Sequence, residues 1–283
     1  MTGTISLEKV KELRKLTGVG MTKCKSALEE AGGDVQTAVE NLRKSGMAAA
    51  VKKENREAKE GIITFQENDS HIALLEVNAE TDFVVKNSLF KDFSQKLADE
   101  LLKTNPASLA DFMAQKSPED SNYTIDQWRA LIIQKIGENI QIRRIASFEK
   151  NINASLGVYS HMAGKIVCIV EIEGSDKETD LARDIAMHVA AENPSYLHSE
   201  EIPDLVIQSE KEIALSQVKG KPEHIIGKII QGKLEAFYNQ VCLTKQKFVK
   251  DSNITITQLL NARAKETNTT LTIKQFTRWS VGA

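Results

Sequence analysis

Histidines, cysteines and paired carboxylates are the side chains with which this chain would perform acid–base, nucleophilic or metal chemistry, and their spacing argues against all three. The five histidines, His71, His161, His188, His198 and His224, are dispersed, and a histidine without a spaced partner reads as a structural or surface residue. Cys24, Cys168 and Cys242 are odd in number and form no CxxC pair. They are expected to be buried thiols in a reducing compartment, not a disulfide framework or a zinc site. Glu29-Glu30 and Glu200-Glu201 fall on expected helices or caps, where a dipole or solvent role suffices. No P-loop, dinucleotide fingerprint, nucleophile elbow or metalloprotease helix is present in the sequence. The expectation is a binding protein with no catalytic constellation, metal or cofactor of its own.

NAETDFVV (78–85) is the stretch that asks for a specific reading. It follows the apolar run HIALLEV, where a buried strand should leave through a polar turn, yet it carries Asp82 and Phe83. Two readings stand on residue type alone. Phe83 either folds back as a lid on its own core, since single buried aromatics are common, or is presented to something outside.

The elements that must position this stretch follow from periodicity. Leu7, Val10, Leu13 and Leu16 keep near-helical spacing until Gly18-Val19-Gly20; Met21, Cys24, Ala27, Leu28 and Ala31 form a second stripe, ended by Gly32-Gly33. Asp34 is a good N-cap for a third helix carrying Val35, Ala38, Val39 and Leu42. These predict a small unit of three short helices, followed by a solvated linker or exposed helix over the charged run KKENREAKEG (52–61). GIITFQ and HIALLEV then read as a hairpin turning at Glu67-Asn68-Asp69-Ser70, with a helix carrying Phe90, Phe93, Leu97 and Leu101 packed on it.

That order recurs. GVYSH (157–161), KIVCIVEIEG and DLARDIAMHVAAENP repeat hairpin then helix, with IALLEV matching VCIVEI and Glu76 opposite Glu171, and each half closes with a strand, IQIRRIASF (140–148) or LTIKQFTRW (271–279). The fold class expected is α+β: a small helical unit, then a two-half core of antiparallel sheets with packed helices. At the place of Glu80-Thr81-Asp82-Phe83-Val84 the second half has the polar Gly174-Ser175-Asp176-Lys177-Glu178, so the scaffold itself does not require Phe83. Into the second half is inserted an antiparallel helical hairpin, with Leu205, Val206, Ile213 and Val218 on one face, the turn KGKPE (219–223), and Ile226, Ile229, Ile230, Leu234, Phe237 and Val241 on the other. The expected division is 1–56 for the helical unit and linker, 57–151 for the first half, 152–193 with 243–283 for the second, and 194–242 for the hairpin.

The 283 residues are 41% hydrophobic and 27% charged, with no apolar run long enough to span a bilayer and no signal core. A cytoplasmic protein without membrane contact is expected. A formal charge of -2 argues against coating phosphate backbones as the main function.

LRKLTGVGMTKCKSAL (13–28), AETDFV (79–84), KIGENIQIRRI (135–145) and IAMHVAAENP (185–194) closely resemble, in order, the signature stretches of the bacterial translation elongation factor Ts family. The resemblance implies a guanine nucleotide exchange factor that binds elongation factor Tu, GDP-bound and then nucleotide-free, disturbs its magnesium and phosphate site, and promotes GDP release and GTP loading in translation. It also implies a ubiquitin-associated-like N-terminal domain. Thr81, Asp82, Phe83 and Val84 match the family's TDFV motif, which inserts beside the partner's magnesium. Leu13 and Met21 match positions that touch the partner's nucleotide-binding domain. His161, in Tyr159-Ser160-His161, resembles a further contact, although Met162-Ala163-Gly164 departs from the usual order of that turn. Some members continue beyond the match to FTRWSVGA into a C-terminal helical module; without it, more would rest on the N-terminal domain and the core.

The sequence leaves two rivals: an adaptor that binds protein without altering nucleotide release, and an RNA-binding surface built from RRIASFEK and KSGMAAAVKK. It also leaves open whether the hairpin is a self-packed arm, a partner contact or the seam of a homodimer of heterodimers. Independent nucleic-acid binding is not expected.

Overall fold

The computed structural model describes residues 5–218 and 222–283. Two compact units divide the chain, Met1–Glu149 with Val281–Ala283, and Lys150–Ser280.

In the first unit, α1 (Leu7–Thr17), α2 (Met21–Glu30) and the start of α3 (Val35–Lys53) enclose a small core of Val10, Leu13, Val19, Cys24, Leu28, Ala38 and Leu42. The stop and start signals act as the sequence suggests. Gly18 closes α1 in the left-handed region, and Asp34 accepts a hydrogen bond from the Thr37 N–H. The short third helix needs correction, whereas the stretch from Glu54 to β1 is the mostly exposed connection expected. α3 continues to Lys53, because Met47 and Ala50 reach a second apolar surface in the core beneath the first sheet.

That sheet is β1 (Glu60–Glu67), β2 (His71–Ala79) and β3 (Ile140–Glu149), antiparallel in the order β1-β2-β3. Asn68 Oδ1 closes the β1–β2 turn by accepting from the N–H groups of Ser70 and His71. Between β2 and β3 run α4 (Asp82–Lys86), α5 (Ser88–Thr104), α6 (Leu109–Ala114) and α7 (Ile125–Ile136). Ala73, Leu75, Val77 and Ala79, on one face of β2 by strand alternation, share a core with Phe90, Phe93, Leu97 and Leu101 of α5.

The second unit contains β4 (Ala154–His161), β5 (Ile166–Glu173), α8 (Thr179–Glu192), α9 (Asp204–Gln217), α10 (Glu223–Val241), β6 (Lys247–Phe248), β7 (Asp251–Thr255), α11 (Ile256–Thr267) and β8 (Thr272–Ser280). Its main sheet is antiparallel β4-β5-β8, beside a β6-β7 ribbon. Ala182, Ile185, Ala186 and Val189 of α8 share a core with Cys168, Val170 and Ile172. Gly157 permits that packing, since a Cβ there would lie 2.1 Å from the backbone nitrogen of Arg183. All three cysteines are free and buried, and burial pushes the Cys168 thiol up to about 12.

The internal repeat is physical. Glu76 and Glu171 are both buried in the middle strand of their sheets, each followed by a register shift. A buried carboxylate is costly unless paired. Glu76 accepts from Arg144 Nε at 2.7 Å and the Gly282 N–H at 2.9 Å, and Glu171 from Gln275 Nε2 at 2.7 Å and Asn151 Nδ2 at 3.0 Å. The repeat extends further than periodicity indicates. α7 and α11 both span 12 residues and both open on a capping box, Thr124 with Gln127 and Thr255 with Gln258. Aligned on those boxes, Gly137-Glu138-Asn139 stands opposite Asn268-Thr269-Thr270.

The inserted helices α9 and α10 pack antiparallel, Gln217 beside Lys233, around a cleft of about 280 Å³ lined by Ile213, Ala214, Leu234 and Phe237. The turn between them lies, at 219–221, outside the described residues. The predicted face of α10 is half-buried throughout; of the face predicted before the turn, Val218 is buried and Val206 half-buried, and Ala214 is buried as well. Leu205 and Ile213 of the expected α9 face are exposed instead.

Candidate interaction site around Phe83

β2 ends at Ala79, and within three residues the chain begins α4. Thr81 is extended and caps that helix, its hydroxyl accepting from the Val84 N–H at 3.4 Å. A single helical turn has room for one buried face. Val84 and Val85 take it, each 8% exposed in the core under the sheet, and this turns Asp82 and Phe83 outward. Phe83 is 80% exposed. The lid reading is thereby excluded for the free chain.

The turn is held from below. The Glu138 carboxylate receives two hydrogen bonds from Thr81, the N–H at 3.0 Å on Oε2 and the hydroxyl at 2.8 Å on Oε1. Asn139 donates its N–H to Glu80 Oε1 at 2.6 Å. On the outer side, Lys86 pairs with Asp82 at 2.7 Å across one helical turn. Its hydrogen bond to Asp82, and then the carboxylate's charge, raise the Lys86 ammonium above the ordinary lysine value. Both side chains are exposed, so water screens this pair and it can open at small cost.

Thr81, Asp82, Phe83 and Val84 thus form one turn, with different tasks: Thr81 caps, Val84 anchors, and Asp82 and Phe83 face out. The other expected site residues lie elsewhere. Leu13 is fully buried in the small helical core of the free chain. Met21, the first residue of α2, packs against the same core but keeps part of its surface exposed. His161 ends β4 in the second unit, exposed, its Nδ1 3.2 Å from Tyr159 Oη and its ring stacked on the tyrosine. The turn after it is unusual, with Met162, Ala163 and Gly164 all at positive φ and Met162 exposed. Sequence reasoning missed Glu138, Asn139 and Lys86. The signal for Glu138 was available, since the second half has a threonine at its place.

The chain is an α+β scaffold of two related halves with an exposed aromatic on a braced turn, and no helix among the described residues is long and apolar enough to cross a membrane. The family model for elongation factor Ts matches residues 80–283. The chain is 55% identical to elongation factor Ts of Protochlamydia amoebophila over 273 residues, covering 96% of this chain and 97% of that one. It is 44% identical to elongation factor Ts of Chlamydia muridarum over 279 residues and 43% identical to that of Chlamydia pneumoniae over 278, in each case covering 98% of this chain and 99% of the relative. The chain belongs to the elongation factor Ts family, a family of translation elongation factors.

Proposed function

We propose that this chain is a guanine nucleotide exchange factor for elongation factor Tu, acting in the cytoplasm, and that Phe83 and Asp82 are the residues it inserts beside the partner's magnesium and phosphate site. The observation that carries the reading is the 80% exposure of Phe83 on a turn whose other members are capped, buried or hydrogen-bonded. Family membership supplies the partner. Leu13, Met21 and His161 are proposed as further contacts, Leu13 being buried in the free chain and Met21 and His161 keeping exposed surface. Two heterodimers pairing through the α9–α10 hairpin would appear as a doubled mass in light scattering of the complex.

The mechanism is linkage. An exchange factor expels GDP only by favouring a partner conformation that holds the nucleotide poorly, and GDP then weakens the factor's own binding by the same amount. Each tenfold loss of nucleotide affinity requires about 1.4 kcal/mol of differential binding. Burying Phe83 in a partner pocket contributes about 1.5–3 kcal/mol, so other contacts must cooperate with it. Magnesium demands near-ideal octahedral oxygen ligands, and an apolar wedge with a carboxylate beside it disturbs that arrangement. Asp82 reaches the site with Lys86 released.

Stopped-flow release of GDP from elongation factor Tu tests this. The unmodified chain should accelerate release, with Phe83→Ala at least tenfold less effective and Asp82→Ala intermediate. Acceleration by both variants equal to that of the unmodified chain would defeat the reading. Binding without faster release would favour an adaptor, and salt-sensitive affinity for tRNA in the absence of elongation factor Tu an RNA-binding surface.

A further inference from the structure

We propose that Glu138 is the positioning residue of this site: its carboxylate grips the Thr81 turn and thereby fixes the direction in which Phe83 is presented. The inference rests on the exchange reading above and adds to it a residue that need not touch the partner. Both carboxylate oxygens are engaged by one residue, through backbone at 3.0 Å and hydroxyl at 2.8 Å, and hydrogen bonds to an ionised acceptor are the strong ones. The Thr81 hydroxyl has one proton, donated to Glu138, which leaves a lone pair for the Val84 N–H. One carboxylate therefore orients the cap and the first turn of α4 together.

A brace works only if its own base is fixed. Gly137 ends α7 at φ 96°, a conformation that favours glycine. Asn139 is fully buried; its side-chain amide donates to the carbonyl oxygens of Arg56 at 2.8 Å and Glu54 at 3.3 Å. Gln141 Nε2 donates to the same Glu54 carbonyl at 3.2 Å, and Lys53 Nζ donates to the Gly137 carbonyl. The segment 137–141, from the end of α7 into β3, is thus tied on one side to the end of α3 and its following residues, and on the other to Glu80 and Thr81.

The second half of the molecule is the control. Opposite Glu138 it has Thr269, with no carboxylate. Its strand-to-helix turn is held instead by close backbone contact, since a Cβ on Gly174 would lie 1.8 Å from the Thr270 carbonyl oxygen. There the Ser155 hydroxyl donates to the Ser175 carbonyl and accepts from the Glu178 N–H, both at 2.8 Å. The scaffold makes this crossing without a carboxylate at that place, its turn being tied instead to α11, where Arg263 Nε donates to the buried Glu178 carboxylate at 2.8 Å; a carboxylate at the place of Glu138 occurs in the half whose turn carries an exposed aromatic.

The test uses the full chain with Glu138→Ala, Glu138→Gln, Phe83→Ala and the Phe83→Ala/Glu138→Ala double variant. In the free protein, hydrogen exchange at the Thr81 amide should be at least tenfold faster in Glu138→Ala. With elongation factor Tu, the GDP-release rate at saturating factor should fall at least fivefold, and Glu138→Gln, which keeps one acceptor oxygen, should fall between. The double variant should be no slower than Phe83→Ala alone, because the brace acts through the phenylalanine; a destabilised chain would instead add the two losses. If Glu138→Ala matches the unmodified chain while Phe83→Ala is slow, the positioning role is wrong and the exchange reading stands. Additive losses also overturn it. If Phe83→Ala itself releases GDP normally, both readings fall together. Should Glu138→Ala not fold, Glu138→Gln and its double variant carry the same comparisons.

Discussion

Phe83 and Val84 are neighbours in sequence with opposite environments, and this separates function from stability at single residues. Phe83 is 80% exposed, so Phe83→Ala should change folding stability by no more than about 0.5 kcal/mol. Val84 is 8% exposed in the main core, so Val84→Ala should cost about 1–2 kcal/mol. Urea denaturation of the two variants checks both; a large loss for Phe83→Ala would mean that the aromatic packs on its own chain. Residue type alone left Phe83 undecided, because phenylalanine is common in cores. The polar turn in the second half and the TDFV pattern pointed outward, and the burial of Val84 and Val85 supplies the reason. Glu138 escaped notice because a carboxylate near a helix end has an ordinary explanation in solvent. Leu13 shows the converse: a motif match says nothing of which way a side chain faces.

Elements were legible where their signals are local. Helix stops at Gly18, the cap at Asp34 and the hairpin at Asn68 are written in one or two residues each. The length of α3 was not, since Met47 and Ala50 gain their apolar surface only once the sheet is assembled. α8 carries a device of the same kind in His188, which is fully buried. Its Nδ1 accepts from the Val249 N–H at 3.2 Å and its Nε2 donates to Gln246 Oε1 at 3.0 Å, so the neutral ring ties α8 to the segment before β7. Burial lowers its pKa below the ordinary 6.5, outweighing the Gln246 hydrogen bond and the Glu192 charge, which act upward. The unfolded chain then takes the proton first as pH falls. This contribution to stability is fully present above pH 6.5 and is lost as pH falls from there through the folded value. Urea midpoints between about pH 7.5 and 5 should drop more steeply for the natural chain than for His188→Gln, which cannot charge. Parallel curves would count against a neutral buried His188.

At the scale of the molecule, duplication explains why one half can be specialised. Two sheets with the same buried glutamate, the same register shift and the same capping box give two versions of one crossing from strand to helix. The first version is braced by Glu138 and bears Phe83; the second is closed by Gly174 and the Arg263–Glu178 pair and bears no aromatic. Each unit has its own main core, and domains with separate cores are expected to unfold as separate cooperative blocks. The chain supplies its own reporters, because its two tryptophans fall one in each unit, Trp128 in α7 and Trp279 in β8. Single-tryptophan variants, Trp279→Phe and Trp128→Phe, should therefore show urea transitions with different midpoints. Gly157→Ala provides the directed perturbation, since its Cβ would overlap the backbone of Ala182 and Arg183 at the β4–α8 contact. Overpacking of that kind costs about 1–3 kcal/mol, and it should lower the midpoint seen by Trp279 while leaving that seen by Trp128 in place. If both reporters shift together, the two halves fold as one block, and a change in the half without Phe83 would reach the turn that carries it.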